Sequence, residues 1–335
     1  MRQQQTSQRP GRKLLRTALG LPLAAALAGI GYSALAIPHA LDLPPALDAE
    51  RREIAGRAGR LSYYVAGSGE PLLLIHSINA AASAYEVRPL FDHYRAGRRV
   101  YALDLPGFGF SDRSERDYTP RLYADAILDM LDEIERETGA RSVDALALSL
   151  GSEFLARAAS EHPDRFSTLA LVSPTGFRKD DHLYGEPGSV RGSTAARSFF
   201  EFPVWAQPFY DLLNSRASAR YFLAKTFGSN EAIDQGLLEY DYLTSHQPGA
   251  RHAPYAFVSG LLFSADISRV YESLSMPVYM AHGVRGDFTD YGGTDKIAAR
   301  DNWHVQVFQT GGIPYFEQLD TFVEGYDAFL EHAVA

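Results

Sequence analysis

The chain has 335 residues, 46% of them hydrophobic, enough after an N-terminal segment for one large core or one core with an inserted lid. Its net charge is -9, and the first sixteen positions carry Arg2, Arg9, Arg12, Lys13 and Arg16 without an acid, so the remainder is more acidic still and a poor match for a nucleic-acid partner. The absence of cysteine excludes disulfides, thiolate catalysis and cysteine-ligated metals, and leaves the redox compartment open.

Residues 1–16 are a basic region, and residues 17–37 (TALGLPLAAALAGIGYSALAI) an uncharged apolar run. About 20 such residues cross a bilayer, and the basic flank would stay cytoplasmic, placing the rest of the chain on the exoplasmic side of a membrane. Ala34-Leu35-Ala36 also has the small-residue character of an export cleavage site. A retained transmembrane anchor and a soluble form exported after cleavage near Ala36 therefore both stand as expectations. Residues 38–52, with Pro38, Pro44 and Pro45, read as a linker, and 53–335 as one domain.

Within that domain, Glu53 to Val65 reads as a β-hairpin turning at Gly56 and Gly59. Pro71 to His76 (PLLLIH) is a continuous apolar run, as in a strand covered on both faces. A helix-like stretch over Arg88 to Tyr94 leads to a strand over Arg99 to Leu103. Thr119 and Pro120 start a helix with Leu122, Tyr123, Ala126, Ile127, Met130, Leu131 and Ile134 on one face, and Gly139 ends it. Strands follow over Val143 to Leu148 and Ser167 to Val172, with a helix through Ala158 between them. The alternation predicts an α/β fold, a mostly parallel sheet with helices on both faces. It stops between about 174 and 275, where aromatic residues from Phe199 to Phe263 concentrate. This stretch reads as an inserted helical cap whose inner face would line an apolar pocket, although most single rings would simply pack cap onto body. Strands over Pro277 to His282 and Val305 to Thr310, a helix near Thr294 to Ala299 and a last helix over Glu317 to Leu330 complete the domain.

Functional groups of such a sheet gather at the C-terminal ends of its strands. There, after Val143 to Leu148, stands Ala147-Leu148-Ser149-Leu150-Gly151, a variant of G-x-S-x-G with alanine at the first glycine; a serine before a helix is also an ordinary cap. Together with LLIHSIN (Leu73 to Asn79) and DLPGFGFSDR (Asp104 to Arg113), in that order and spacing, this turn resembles the α/β-hydrolase family over residues 55–335. The resemblance implies Ser149 as a nucleophile toward an ester-like carbonyl. It implies an oxyanion hole from the Ile78 and Leu150 amides and a strand-end acid orienting a histidine. Ser77 replaces the usual glycine of the oxyanion loop. The acid falls on Asp287, with Asp290 as second candidate and solvation as the plain alternative for either. The histidine position falls on Gly312, in Thr310-Gly311-Gly312-Ile313-Pro314.

No other histidine is an obvious substitute. His304 starts the last strand, at the wrong end of the sheet; His76 has a structural role in the family; His282 ends a strand at the correct end; His246 and His252 lie in the cap. Losing the histidine of a serine triad costs about 10⁶ in turnover, roughly 8 kcal/mol of barrier. Dehalogenase and epoxide hydrolase chemistry, which in this fold needs a carboxylate at position 149, is set aside. Two functions remain: a serine hydrolase of ester-like or acyl substrates with an apolar part, with a degenerate triad and no cofactor or metal, or a non-hydrolytic protein of the same fold, a ligand binder, receptor, lyase or cyclase.

Overall fold

The computed structural model of the chain describes residues 27–334. The basic region and residues 17–26 of the apolar run lie outside the described residues. Residues 27–36 are helical (α1), and among the described residues no helix is long and apolar enough to cross a membrane. The linker runs along the body and cap: Tyr240 donates to Pro44 O, and Ala46 N to the Tyr64 hydroxyl. In the cap, Asp211 accepts hydrogen bonds from Ser33 of α1 and from His39.

The hairpin forms from β1 (Glu50–Gly56) and β2 (Gly59–Ala66), with Gly59 at φ 96 in the turn. After β3 (Pro71–Ile75) come α2 (Arg88–Tyr94), β4 (Arg99–Asp104) and α3 (Pro120–Thr138). The last begins as the sequence predicts, Thr119 Oγ1 accepting from Leu122 N, and ends at left-handed Gly139. Then follow β5 (Val143–Leu148), α4 (Gly151–Glu161) and β6 (Phe166–Val172). The cap holds α5 (Thr194–Phe200), α6 (Ala206–Leu213), α7 (Arg216–Phe227), α8 (Gln235–Ser245), α9 (His252–Val258) and α10 (Ile267–Ser273). The chain re-enters the sheet with β7 (Val278–Gly283), α11 (Asp295–Ala298) and β8 (Trp303–Phe308), and finishes with α12 (Pro314–Glu317) and α13 (Leu319–Val334).

The eight strands are ordered β1-β2-β4-β3-β5-β6-β7-β8, antiparallel at the first two contacts and parallel from β4 onward. Period-two alternation sends Leu73, Ile75, Ala145, Ala147, Leu169, Leu171, Val278 and Met280 to one core, which α3, α4 and α10 cover. Their neighbours Leu72, Leu74, Leu146, Leu148, Ala170, Val172, Tyr279 and Ala281 join the other core, under α2, α8 and α13. The cap divides its aromatics: Tyr210, Phe227, Tyr240 and Tyr255 are buried, whereas Phe199, Phe202, Phe209, Tyr221 and Phe222 are exposed on its outside.

Candidate active site

The turn from β5 into α4 is strained at one residue. Ser149 has φ 53, the left-handed region that costs a residue with a Cβ on the order of 1–2 kcal/mol, and such strain concentrates at functional sites. Backbone bonds hold it there: Ser149 N donates to Val172 O at 2.7 Å, and its carbonyl accepts from Ser152 N at 3.0 Å. A Cβ on Gly151 would lie 2.5 Å from His76 O, so the helix start passes the loop after β3 only because that residue is glycine. Ala147 is fully buried in the strand. The plain alternative, Ser149 as a helix cap, does not hold: the N-cap is Leu150, without a side-chain cap bond, and the Ser149 hydroxyl has no partner among the described residues.

The loop after β3 is built around a carboxylate. Glu86, 3% exposed, accepts from Ser77 N (2.8 Å), Ser77 Oγ (3.0 Å) and Asn79 Nδ2 (2.7 Å). Burial pushes its carboxyl up to about 7, against the opposing pull of these hydrogen bonds. The Ser77 hydroxyl is thereby tied to Glu86, and Ile78 sits between two anchored residues. Among the described residues neither Ile78 N nor Leu150 N donates to a protein acceptor, so both amides stay available to an oxyanion. His76 takes the structural role expected of it. Its Nδ1–H donates to Ser77 O at 2.6 Å, its Nε2 accepts from Leu105 N at 2.9 Å, and burial holds its pKa down at about 3.

The acid loop and the loop after β8 face a third element, the end of α7. Asp287 is 55% exposed and ion-paired with Lys225 of α7, while Asp290, 51% exposed, lies beside Arg178; among the described residues neither has an imidazole partner. Asp287 N donates to Lys225 O at 3.0 Å and Gly312 N to Thr226 O at 2.7 Å, so carbonyls at the end of α7 accept amides from both loops. Glycine permits this approach: a Cβ at 286 would collide with Lys225 O, and one at 311 with the Phe227 backbone. At Gly312 itself a Cβ would meet only Thr226, at 3.5–3.6 Å, which is ordinary contact.

The remaining histidines separate by environment. His304 is exposed, stacked on Tyr279; His246 is buried in the cap with Nδ1 2.7 Å from Tyr242 O; His252 opens α9. His282, 7% exposed, donates from Nδ1 to Gly283 O at 2.9 Å and stacks on Tyr291 with ring centroids 4.0 Å apart. Burial lowers its pKa. A second feature had no signal in the sequence: Ser173, just beyond β6, also has a left-handed backbone, φ 47, and its buried hydroxyl lies beside the Tyr291 phenol. A 20 Å³ cavity beside Phe177 and Tyr271 and an open depression around Asn302 both lie away from Ser149. Among the described residues no three acidic or histidine side chains cluster as metal ligands.

Residues 70–227 match the family model for the alpha/beta hydrolase fold. A 2-hydroxymuconate semialdehyde hydrolase of Pseudomonas sp. (strain CF600) is 30% identical over 37% of this chain and 44% of its own, so the chain spans less than half of that relative. A 1-acylglycerol-3-phosphate O-acyltransferase, ABHD5, of Sus scrofa is 31% identical over 75% of this chain and 73% of its own. The crystal structure of a meta-cleavage product hydrolase from Pseudomonas fluorescens IP01 superposes with a TM-score of 0.64 at 20% identity, covering 84% of this chain and 98% of that one. With this strand order, the elbow at Ser149 and these matches, the chain belongs to the α/β-hydrolase fold family.

Proposed function

We propose that the protein is a serine hydrolase acting on a carboxyl ester or similar acyl substrate with an apolar portion, using a degenerate triad. The observation that carries this reading is the strained Ser149, its hydroxyl without a partner and two nearby amides without an acceptor among the described residues. In the reaction Ser149 Oγ attacks the acyl carbonyl carbon, and the oxyanion that forms accepts hydrogen bonds from Leu150 N and Ile78 N. The N-terminal end of α4 adds its partial positive charge at the same place. Expulsion of the alcohol leaves an acyl-Ser149 ester, which water hydrolyses. Asp287 is the acid by position, and Gly312 leaves the histidine's own position without a base. A fluorophosphonate probe on the purified protein tests the reading: covalent labelling at Ser149 that disappears in Ser149→Ala is expected, and an unlabelled wild type would overturn it.

One observation favours a second reading, a non-hydrolytic binder on the same scaffold. The end of α7 is fitted against Gly311 and accepts from Gly312 N, beside the place of the family's histidine, so the loop is packed against a different neighbour.

For location, we propose an anchor over residues 17–37 with the domain on the exoplasmic side, or its cleavage near Ala36 to give a soluble exported form. Support comes from the uncharged run and its basic flank. It also comes from the exposed Leu27, Tyr32 and Leu35 of α1, which is tied to a cap that exposes Phe199, Phe202 and Phe209. Sequencing the mature N-terminus decides: a start near Ile37 means cleavage, and the initial residues mean a retained segment.

A further inference from the structure

The outer face of the cap reverses the usual pattern of a protein surface. Phe199 of α5, Phe202 and Val204 of the turn that follows, and Phe209 and Leu212 of α6 are all exposed, Leu212 to 68%. On α6, Ala206, Tyr210 and Asp211 are buried while Phe209 and Leu212 face outward. The charged residues between Ser198 and Ser215 are Glu201, which is paired with Arg197, and Asp211, which is buried.

The rings form one continuous ridge. The half-buried Trp205 lies 4.4 Å from Phe202 and 5.3 Å from Phe199 between ring centroids, and Phe199 touches Phe200, which stacks on Phe209 at 5.4 Å. Its polar groups are used within it. The Trp205 indole N–H and Phe202 N donate to Phe199 O, Trp205 N and Ala206 N donate to Phe202 O, and Pro203 has no N–H.

An exposed apolar surface of this kind marks a contact site, and two observations point to its occupant. A protein partner forms about one hydrogen bond per 100–200 Å² of interface, whereas a ridge whose donors are satisfied internally suits hydrocarbon. The path of the chain agrees. The uncharged residues 17–26 lead into α1, which is fastened to α6 by polar bonds from Ser33 and His39 to Asp211. That helix buries Ser33 and turns Leu27, Tyr32 and Leu35 outward, so an apolar segment leaves the body beside an apolar face.

We propose that the outer face of the cap, from Phe199 to Leu212, is a lipid-docking surface that rests on the bilayer, with the Trp205 cluster at the boundary of headgroups and acyl chains. The inference rests on the location reading for the direction in which the chain leaves, and adds a contact made by the folded domain itself. The contact is apolar: the chain carries a net charge of -9 and the charges within the ridge are paired or buried, so zwitterionic lipid suffices and salt has little effect.

The chain supplies its own probe, since its two tryptophans are Trp205 in the ridge and Trp303 in the core. The full chain is reconstituted into phosphatidylcholine vesicles with and without bromine near the head of the acyl chains, and tryptophan emission is compared. Quenching by the brominated lipid is expected in wild type and lost in Trp205→Phe. It should also be lost in Phe202→Asp and Leu212→Asp, which place a charge at exposed positions of the ridge. Val307→Asp, at an exposed position of the edge strand β8, should be quenched as wild type is. A wild type that floats with the vesicles unquenched would overturn cap docking and leave the anchor standing, whereas a chain that stays in solution would overturn both. Quenching that survives both aspartates, or that Val307→Asp also abolishes, would overturn the assignment to this face. An unquenched Trp205 in a dimer that Leu212→Asp dissociates would mean that a second copy covers the ridge, and would overturn lipid docking. Should one aspartate variant fail to fold, the other decides, together with wild type against Trp205→Phe.

Discussion

Glu86→Gln probes whether a buried acid holds the oxyanion loop. Burial raises the Glu86 carboxyl from 4.5 to about 7, which at ~1.4 kcal/mol per pH unit corresponds to about 3 kcal/mol. The sign follows from proton counting. Between these two pH values the folded protein holds a proton that the unfolded chain has released, so this group's contribution is full below pH ~4.5 and is lost as pH rises through ~7. Glutamine does not titrate. At pH 4.5 the variant should be the less stable protein by about 1–3 kcal/mol, because its amide cannot accept from both Ser77 N and the Asn79 side chain as the acid does. At pH 8 that deficit should have closed or reversed, a swing of about 3 kcal/mol. Urea unfolding of both proteins at half-unit steps from pH 4.5 to 8 measures it. Asp241, whose carboxyl is also pushed up by burial and by Glu86, titrates in both proteins, and the comparison removes most of its effect. A stability difference that stays constant across the range would refute a protonated Glu86 and with it the account of how the loop is anchored.

Other perturbations address the far side of the site. Gly311→Ala drives a Cβ into the Phe227 backbone, an overpacking that costs about 1–3 kcal/mol and should lower the melting temperature by roughly 2–4 °C per kcal/mol, whereas Gly312→Ala should be nearly neutral. Equal melting temperatures for the two variants would remove the tight seating of α7. Gly312→His places an imidazole where a Cβ meets only ordinary contacts, and ester turnover should rise by ~10²-fold or more if a base alone is wanting. No gain from a folded variant would mean that the pocket has moved away from acyl chemistry.

The sheet was legible because its strands carry their own signals. PLLLI, VDALAL and STLALV are continuous apolar runs, and a strand covered on both faces must be one. Thr119, Pro120 and Gly139 marked the ends of α3 for equally local reasons, a side-chain cap and a left-handed stop. The turn that carries Ser149 was likewise visible in order along the chain. Glu86 was not, since a carboxylate in a short helical stretch reads as a solvated side chain until a loop from nine residues earlier folds onto it. Ser173 gave no sign either: its left-handed backbone and its place beside the Tyr291 phenol follow from how β6 meets β7 and the 291 region.

Local sequence thus located the strands, the ends of α3 and the turn at Ser149, because each depends on residues a few positions apart. Only the tertiary structure decided that Ser77 turns toward Glu86 and that the end of α7 closes on the two glycine loops. Those facts arise from contacts between segments tens of residues apart, whose register is set by the sheet and whose approach distances depend on which positions lack a side chain.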